Sequence, residues 1–95
     1  MRYEIIFDPG ALREFDKLPK DAQVRLGEVI TSLADEPRPQ GSVKMAGVDA
    51  YRVRAGNYRA VYAIKEERLI ILIVKVGHRK EVYGDLSLVR RKLKE

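Results

Sequence analysis

The chain has 95 residues and a formal net charge of +5, enough for one domain, residues 1–95, built on a single modest core. It contains no cysteine, which excludes a disulfide framework, a thiolate nucleophile and cysteine-ligated zinc, and makes a reducing cytoplasm the expected setting. No apolar run approaches the ~20 residues of a membrane span, and the opening MRYEIIFDPG does not read as a signal peptide, so no membrane is expected.

Arg2 to Phe7 alternates weakly and predicts a short first strand. Asp8-Pro9 then opens a helix, with an acceptor side chain at the cap and a proline where a missing N–H does no harm. Leu12, Phe15 and Leu18 share one helical face, and Pro19 ends the element. From Lys20 to about Asp35, Ala22, Leu26, Val29, Ile30 and Leu33 form one apolar stripe, so a second helix follows. Two helices with so short a joint should pack as an antiparallel hairpin on a sheet. Glu36 to Ser42 breaks the pattern with two prolines and a glycine, and Val43-Lys44-Met45 suggests a short strand.

Tyr51–Ala55 and Tyr58–Ile64 alternate around Gly56-Asn57, a pair suited to a two-residue hairpin turn because glycine accepts positive φ without strain. The turn sets the register: Ala55 faces Tyr58, Arg54 faces Arg59, Val53 faces Ala60, Arg52 faces Val61 and Tyr51 faces Tyr62. Arg52, Arg54 and Arg59 then share one face, and Tyr51, Val53, Ala60 and Tyr62 the other. Like charges directly opposite each other oppose pairing. Either the long stems splay their heads into screening solvent, or the three forks grip the phosphates of a polyanion. After the charged turn Lys65–Arg68, Leu69–Val74 is a continuous apolar run, read as the strand at the sheet's centre, buried on both faces. The helix pair should cover one face, and a C-terminal helix from Asp85 to Leu93 should cover part of the other. The fold class is α+β: a small, mostly antiparallel sheet with an N-terminal two-helix hairpin on one face and a short C-terminal helix.

Charge is uneven along the chain. Residues 1–43 carry six Lys/Arg against eight Asp/Glu, and residues 44–95 thirteen against six. That bias points to a nucleic acid or an acidic protein as partner. Lys44, Lys80, Arg90 and Arg91 are candidate RNA contacts, although a lysine such as Lys44 is more often simply solvated. The buried strand runs out into Gly77-His78-Arg79-Lys80-Glu81-Val82-Tyr83, where a scaffold would position reactive groups. His78 is the only histidine, so a two-histidine ribonuclease is excluded; a lone histidine is more often structural than catalytic. Tyr83 is either core or a phenol able to stack on a base or move a proton. Asp49, Glu66, Glu67, Glu81 and Asp85 have no metal-ligand spacing, and no metal or cofactor is expected. An arginine-rich site with one histidine and tyrosines suits RNA cleavage by a ribose 2′-OH, in which guanidinium groups meet charge developing on the phosphoryl oxygens.

Tyr51-Arg52-Val53-Arg54 leading through a tight turn to Tyr58-Arg59-Ala60-Val61-Tyr62, with the ending Val76-Gly77-His78-Arg79 and Tyr83 after it, resembles the RelE/ParE toxin superfamily, in its RelE-like branch. The resemblance covers nearly the whole chain. It implies the toxin of a type II toxin–antitoxin module that enters the 30S A site of the ribosome and cuts mRNA there without metal, leaving a 2′,3′-cyclic phosphate. It also implies a cognate RelB-like antitoxin, which wraps the toxin and often displaces the C-terminal helix, with a toxin–antitoxin heterotetramer among the assemblies allowed. By position, the resemblance assigns catalytic roles to Arg52, Arg54, Arg59, Arg79 and Tyr83. Arginine holds its proton and is a poor base, which leaves His78 as the candidate base, with Arg79 or Tyr83 assisting departure of the 5′-oxygen. Two other readings are a ParE-like toxin that poisons DNA gyrase without RNA chemistry, and a basic RNA-binding module that leaves RNA intact.

Overall fold

The structure, a computed structural model, describes residues 2–78 and 86–94. The predicted site residues Arg79, Lys80 and Tyr83 lie outside them. The elements run β1 (Glu4–Phe7), α1 (Pro9–Asp16), α2 (Lys20–Ser32), β2 (Val43–Lys44), β3 (Tyr51–Ala55), β4 (Tyr58–Lys65), β5 (Ile70–His78) and α3 (Leu86–Lys94). The strands form one sheet in the order β1-β5-β4-β3-β2. All its pairings are antiparallel except β1 with β5. The expected α+β architecture is therefore present, with one adjustment: β4 holds the middle of the sheet, and β5 lies between it and β1.

The local chemistry explains why the elements start and stop where they do. Asp8 caps α1, its Oδ2 accepting from the N–H groups of Gly10 (3.0 Å) and Ala11 (3.4 Å), with Pro9 in the first turn. Gln23 reaches back from α2 and donates to the carbonyls of Phe15 (3.2 Å) and Asp16 (3.0 Å), which occupies acceptors that a helix end leaves open and fixes the corner between the helices.

Two apolar clusters lie on opposite faces of the sheet. Leu26, Ile30 and Leu33 from the helix pair pack with Val53, Ala60, Tyr62, Ile71, Ile73 and Val76. On the other face Val61 and Val74 pack with Met45, Val48, Ala50 and Val89 of α3, and with the partly buried Leu93. β5 is thus covered on both faces, as its apolar run predicted. Tyr62 is fully buried, stacks on Tyr51 at 5.9 Å and donates its hydroxyl to the Pro37 carbonyl at 2.7 Å. Burial pushes the phenol's pKa up. Tyr62→Phe is expected to lower unfolding free energy by about 1 kcal/mol, because it strands that carbonyl without opening a cavity; a urea titration checks this.

Candidate nucleic-acid interface

β3 and β4 pair in the register that the turn predicted, with Arg54 opposite Arg59 and Arg52 opposite Val61. Gly56 has φ +61° at the first central turn position, which suits glycine. Because cross-strand partners share a face, the three arginines stand on the side of the sheet that α3 partly covers.

They meet there. Arg52, Arg54 and Arg59 line one cleft of ≈ 210 Å³ together with Gly41 and Val43. Val43 belongs to the set because β2 pairs it with Arg52. The three arginines differ in exposure: Arg54 is exposed, Arg52 is intermediate and Arg59 is only 7% exposed. The Arg59 side chain folds over the hairpin turn, Nη1 donating to the Gly56 carbonyl at 3.4 Å. Among the described lining residues there is no carboxylate. Ion pairs join Arg2 with Asp35, Arg38 with Glu66, Lys44 with Asp49, Lys75 with Glu14 and Lys92 with Asp8. Planar guanidinium forks grouped in one cleft are chemically suited to phosphate oxygens.

The other predicted residues are placed differently. Lys44 pairs with Tyr51, and its Nζ lies 5.9 Å from that ring. It therefore stands on the tyrosine side, away from the arginines. His78 is the last residue of β5 and pairs with Tyr58, their rings edge-to-face at 5.7 Å. Gly77, not His78, is the residue opposite Arg59. Arg90 is exposed on α3, its Nε donating to the Gly47 carbonyl at 3.1 Å, and Arg91 is exposed beside it. Gly41 and Val43 were not among the site residues expected from the sequence. Their signal was the short strand at Val43, which needed only a register against β3 to become informative.

Comparisons with known proteins bear on the family and the fold. Residues 5–83 match the family described as ParE toxin of type II toxin-antitoxin system, parDE. A putative RelE-like toxin protein of Escherichia coli is 37% identical over 88% of this chain and 93% of its own length. The mRNA interferase toxin RelE of the same species is 29% identical over 90% and 94%. Among solved structures, an arginine-to-alanine mutant of E. coli RelE in the free state superposes with a TM-score of 0.78 at 30% identity, covering 96% of this chain and 98% of that one. The toxin–antitoxin complex of Mycobacterium tuberculosis gives a TM-score of 0.71 at 27% identity over 83% and 93%. With sequence and fold in agreement, the chain belongs to the RelE/ParE superfamily of type II toxin–antitoxin toxins, in its RelE-like branch.

Proposed function

We propose that the protein is a ribosome-dependent endoribonuclease that cleaves mRNA in the 30S A site without a metal. The observation that carries this reading is the cleft in which Arg52, Arg54 and Arg59 converge. A scissile phosphate seated there has guanidinium donors on its non-bridging oxygens. The ribose 2′-OH attacks phosphorus, the new 2′-O–P bond forms as the P–O5′ bond breaks, and the products are a 2′,3′-cyclic phosphate and a free 5′-hydroxyl. Negative charge grows on the phosphoryl oxygens along this path, and preplaced cations stabilise it where it develops. DNA, lacking the 2′-OH, is no substrate.

Two protons must move. The 2′-OH proton is assigned to His78, and delivery to the 5′-oxygen to Arg79 or Tyr83, with Lys80, Arg90 and Arg91 as further RNA contacts; Lys44, on the tyrosine side, is not among them. The ring of His78 meets Tyr58 on the side away from Arg59, so its assignment is open to a sharp check. If the ring is the base, His78→Ala slows single-turnover cleavage by about 10²-fold at unchanged ribosome affinity; an undiminished rate removes it from the mechanism.

A RelB-like antitoxin is the proposed neutralising partner. Relatives of this chain have been solved as complexes named for RelE with RelB. Mapping mRNA 5′ ends after adding the protein to translating ribosomes, with Arg59→Ala as control, tests the proposal. New ends within A-site codons support it, whereas intact mRNA with gyrase-dependent DNA breaks favours the gyrase-poison reading, which the ParE description of the matched family keeps in play. Neither effect would leave a non-catalytic RNA-binding module.

A further inference from the structure

We propose that Glu14, on α1 and outside the cleft, is a positioning residue for cleavage: it holds the register of β5 that sets Gly77 beside Arg59. This rests on the nuclease reading above.

β4 and β5 pair regularly from Lys65 with Ile70 to Tyr62 with Ile73, and then slip. Val61 pairs with Lys75, so Val74 is an additional residue in β5. Every pairing beyond the slip is displaced by one, and Ala60 meets Val76, Arg59 meets Gly77 and Tyr58 meets His78. Without the slip Arg59 would face Val76. Since a shift of one residue exchanges the two faces of a strand, the slip sends Val76 into the helix-side core, where it is 2% exposed. It leaves a residue with no side chain next to the buried guanidinium of the cleft.

An extra residue takes backbone groups off the ladder, and something must hold them. β1 has already ended at Phe7, opposite Ile73, so on that side the N–H of Val76 lies beyond the reach of a strand. Glu14 takes the place of the missing strand: its Oε1 accepts from the Val76 N–H at 3.1 Å, and its Oε2 accepts from Lys75 Nζ. One carboxylate thereby fixes two consecutive residues just past the slip. The carbonyl of Val74 itself accepts from Lys92 Nζ of α3 at 2.8 Å. The bulge is held on its N–H side by α1 and on its C=O side by α3.

The test is single-turnover mRNA cleavage on programmed ribosomes across a series at Glu14, with amide hydrogen exchange at Val76 and Gly77 read on the same proteins. Glu14→Ala should be slower on the order of 10²-fold at saturating ribosomes, the scale of a misplacement of about 1 Å. The ribosome concentration for half-maximal rate should stay unchanged, and Val76 should lose exchange protection. Glu14→Gln keeps a carbonyl able to accept from Val76 but offers Lys75 no acceptor on its other arm, and should fall between Glu14→Ala and wild type. Glu14→Asp is one methylene too short and should behave like Glu14→Ala, so it carries the test if the alanine variant does not fold. An unchanged maximal rate in Glu14→Ala or Glu14→Asp, a loss confined to ribosome affinity, or equal slowing in Glu14→Gln overturns the proposal while the nuclease reading stands. A wild-type protein that leaves ribosome-bound mRNA intact overturns both.

Discussion

Arg59→Ala is expected to lower the maximal rate of mRNA cleavage by 10²–10³-fold, the measured scale for removing one preplaced donor from a developing oxyanion, about 2.7–4 kcal/mol. The size follows from where the side chain sits. Arg59 is 7% exposed and lines the cleft with Arg52 and Arg54, so a phosphate there meets it with little competing water. An exposed cation such as Arg54 works through more solvent and is more strongly screened. Arg54→Ala should therefore cost less than Arg59→Ala, and its effect should shrink as salt is raised. Arg59→Lys keeps the charge and loses the fork; it should recover part of the loss. The alanine variant relieves the like-charge pairing with Arg54, roughly 0.2–1 kcal/mol, and gives up the hydrogen bond to the Gly56 carbonyl, about 0.5–1.5 kcal/mol, so its stability is measured alongside its rate. Reading the cleavage rate beside the urea midpoint separates lost chemistry from lost fold. An Arg59→Ala protein with unimpaired rate and native stability would sink the nuclease assignment.

The parts of this arrangement that could be read in advance are those that short-range rules control. Gly56-Asn57 fixed five cross-strand pairs because a two-residue turn leaves no freedom of register, and the arginine face follows from those pairs by alternation. Asp8-Pro9 gave the start of α1, and the apolar stripe of α2 gave its buried face. What escaped the sequence depends on residues far apart in the chain. The run Leu69–Val74 announced a buried strand but contains no mark of an added residue at Val74. Nothing near Glu14 indicates that its carboxylate will meet Val76, 62 positions later. Lys44 could have faced either way until β2 was paired with β3. His78 shows the same limit at the site itself: counting by twos along β5 from Ile73 puts it on the α3 face, and only the slip turns it to Tyr58.

The second large expected effect concerns the hold on α3. Asp8→Ala should lower unfolding free energy at neutral pH by about 2–3 kcal/mol, combining the loss of a helix cap, about 1 kcal/mol, with that of a charge-assisted hydrogen bond, about 1.5–3 kcal/mol before relaxation. Both roles fall on one carboxylate. Oδ2 accepts from the first N–H groups of α1 and, at 2.8 Å, from Lys92 Nζ, with side chains 23% and 15% exposed. Gly10 keeps this approach open, since a Cβ there would come within 3.2 Å of both Asp8 Oδ2 and Lys92 Nζ. Burial pushes the Asp8 carboxyl up, but the Lys92 ammonium and the two N–H donors outweigh it and hold the pKa below its ordinary value of 3.8. A carboxyl whose folded pKa lies below its unfolded one contributes stability above the unfolded value and loses it as pH falls through the folded value. The contribution should therefore be complete at pH 7 and fade below about pH 3.8. Asp8→Asn separates the two roles, for asparagine caps as well as aspartate but carries no charge for Lys92. Its unfolding curve should lie between wild type and Asp8→Ala at pH 7 and merge with wild type in acid. Lys92→Met should remove the same pH dependence from the other side, and it also strips the Val74 carbonyl of its donor. Urea titrations of the four proteins from pH 7 to pH 3 decide this: a wild-type minus Asp8→Asn difference that stays constant with pH would mean that charge takes no part in holding α3 to the sheet.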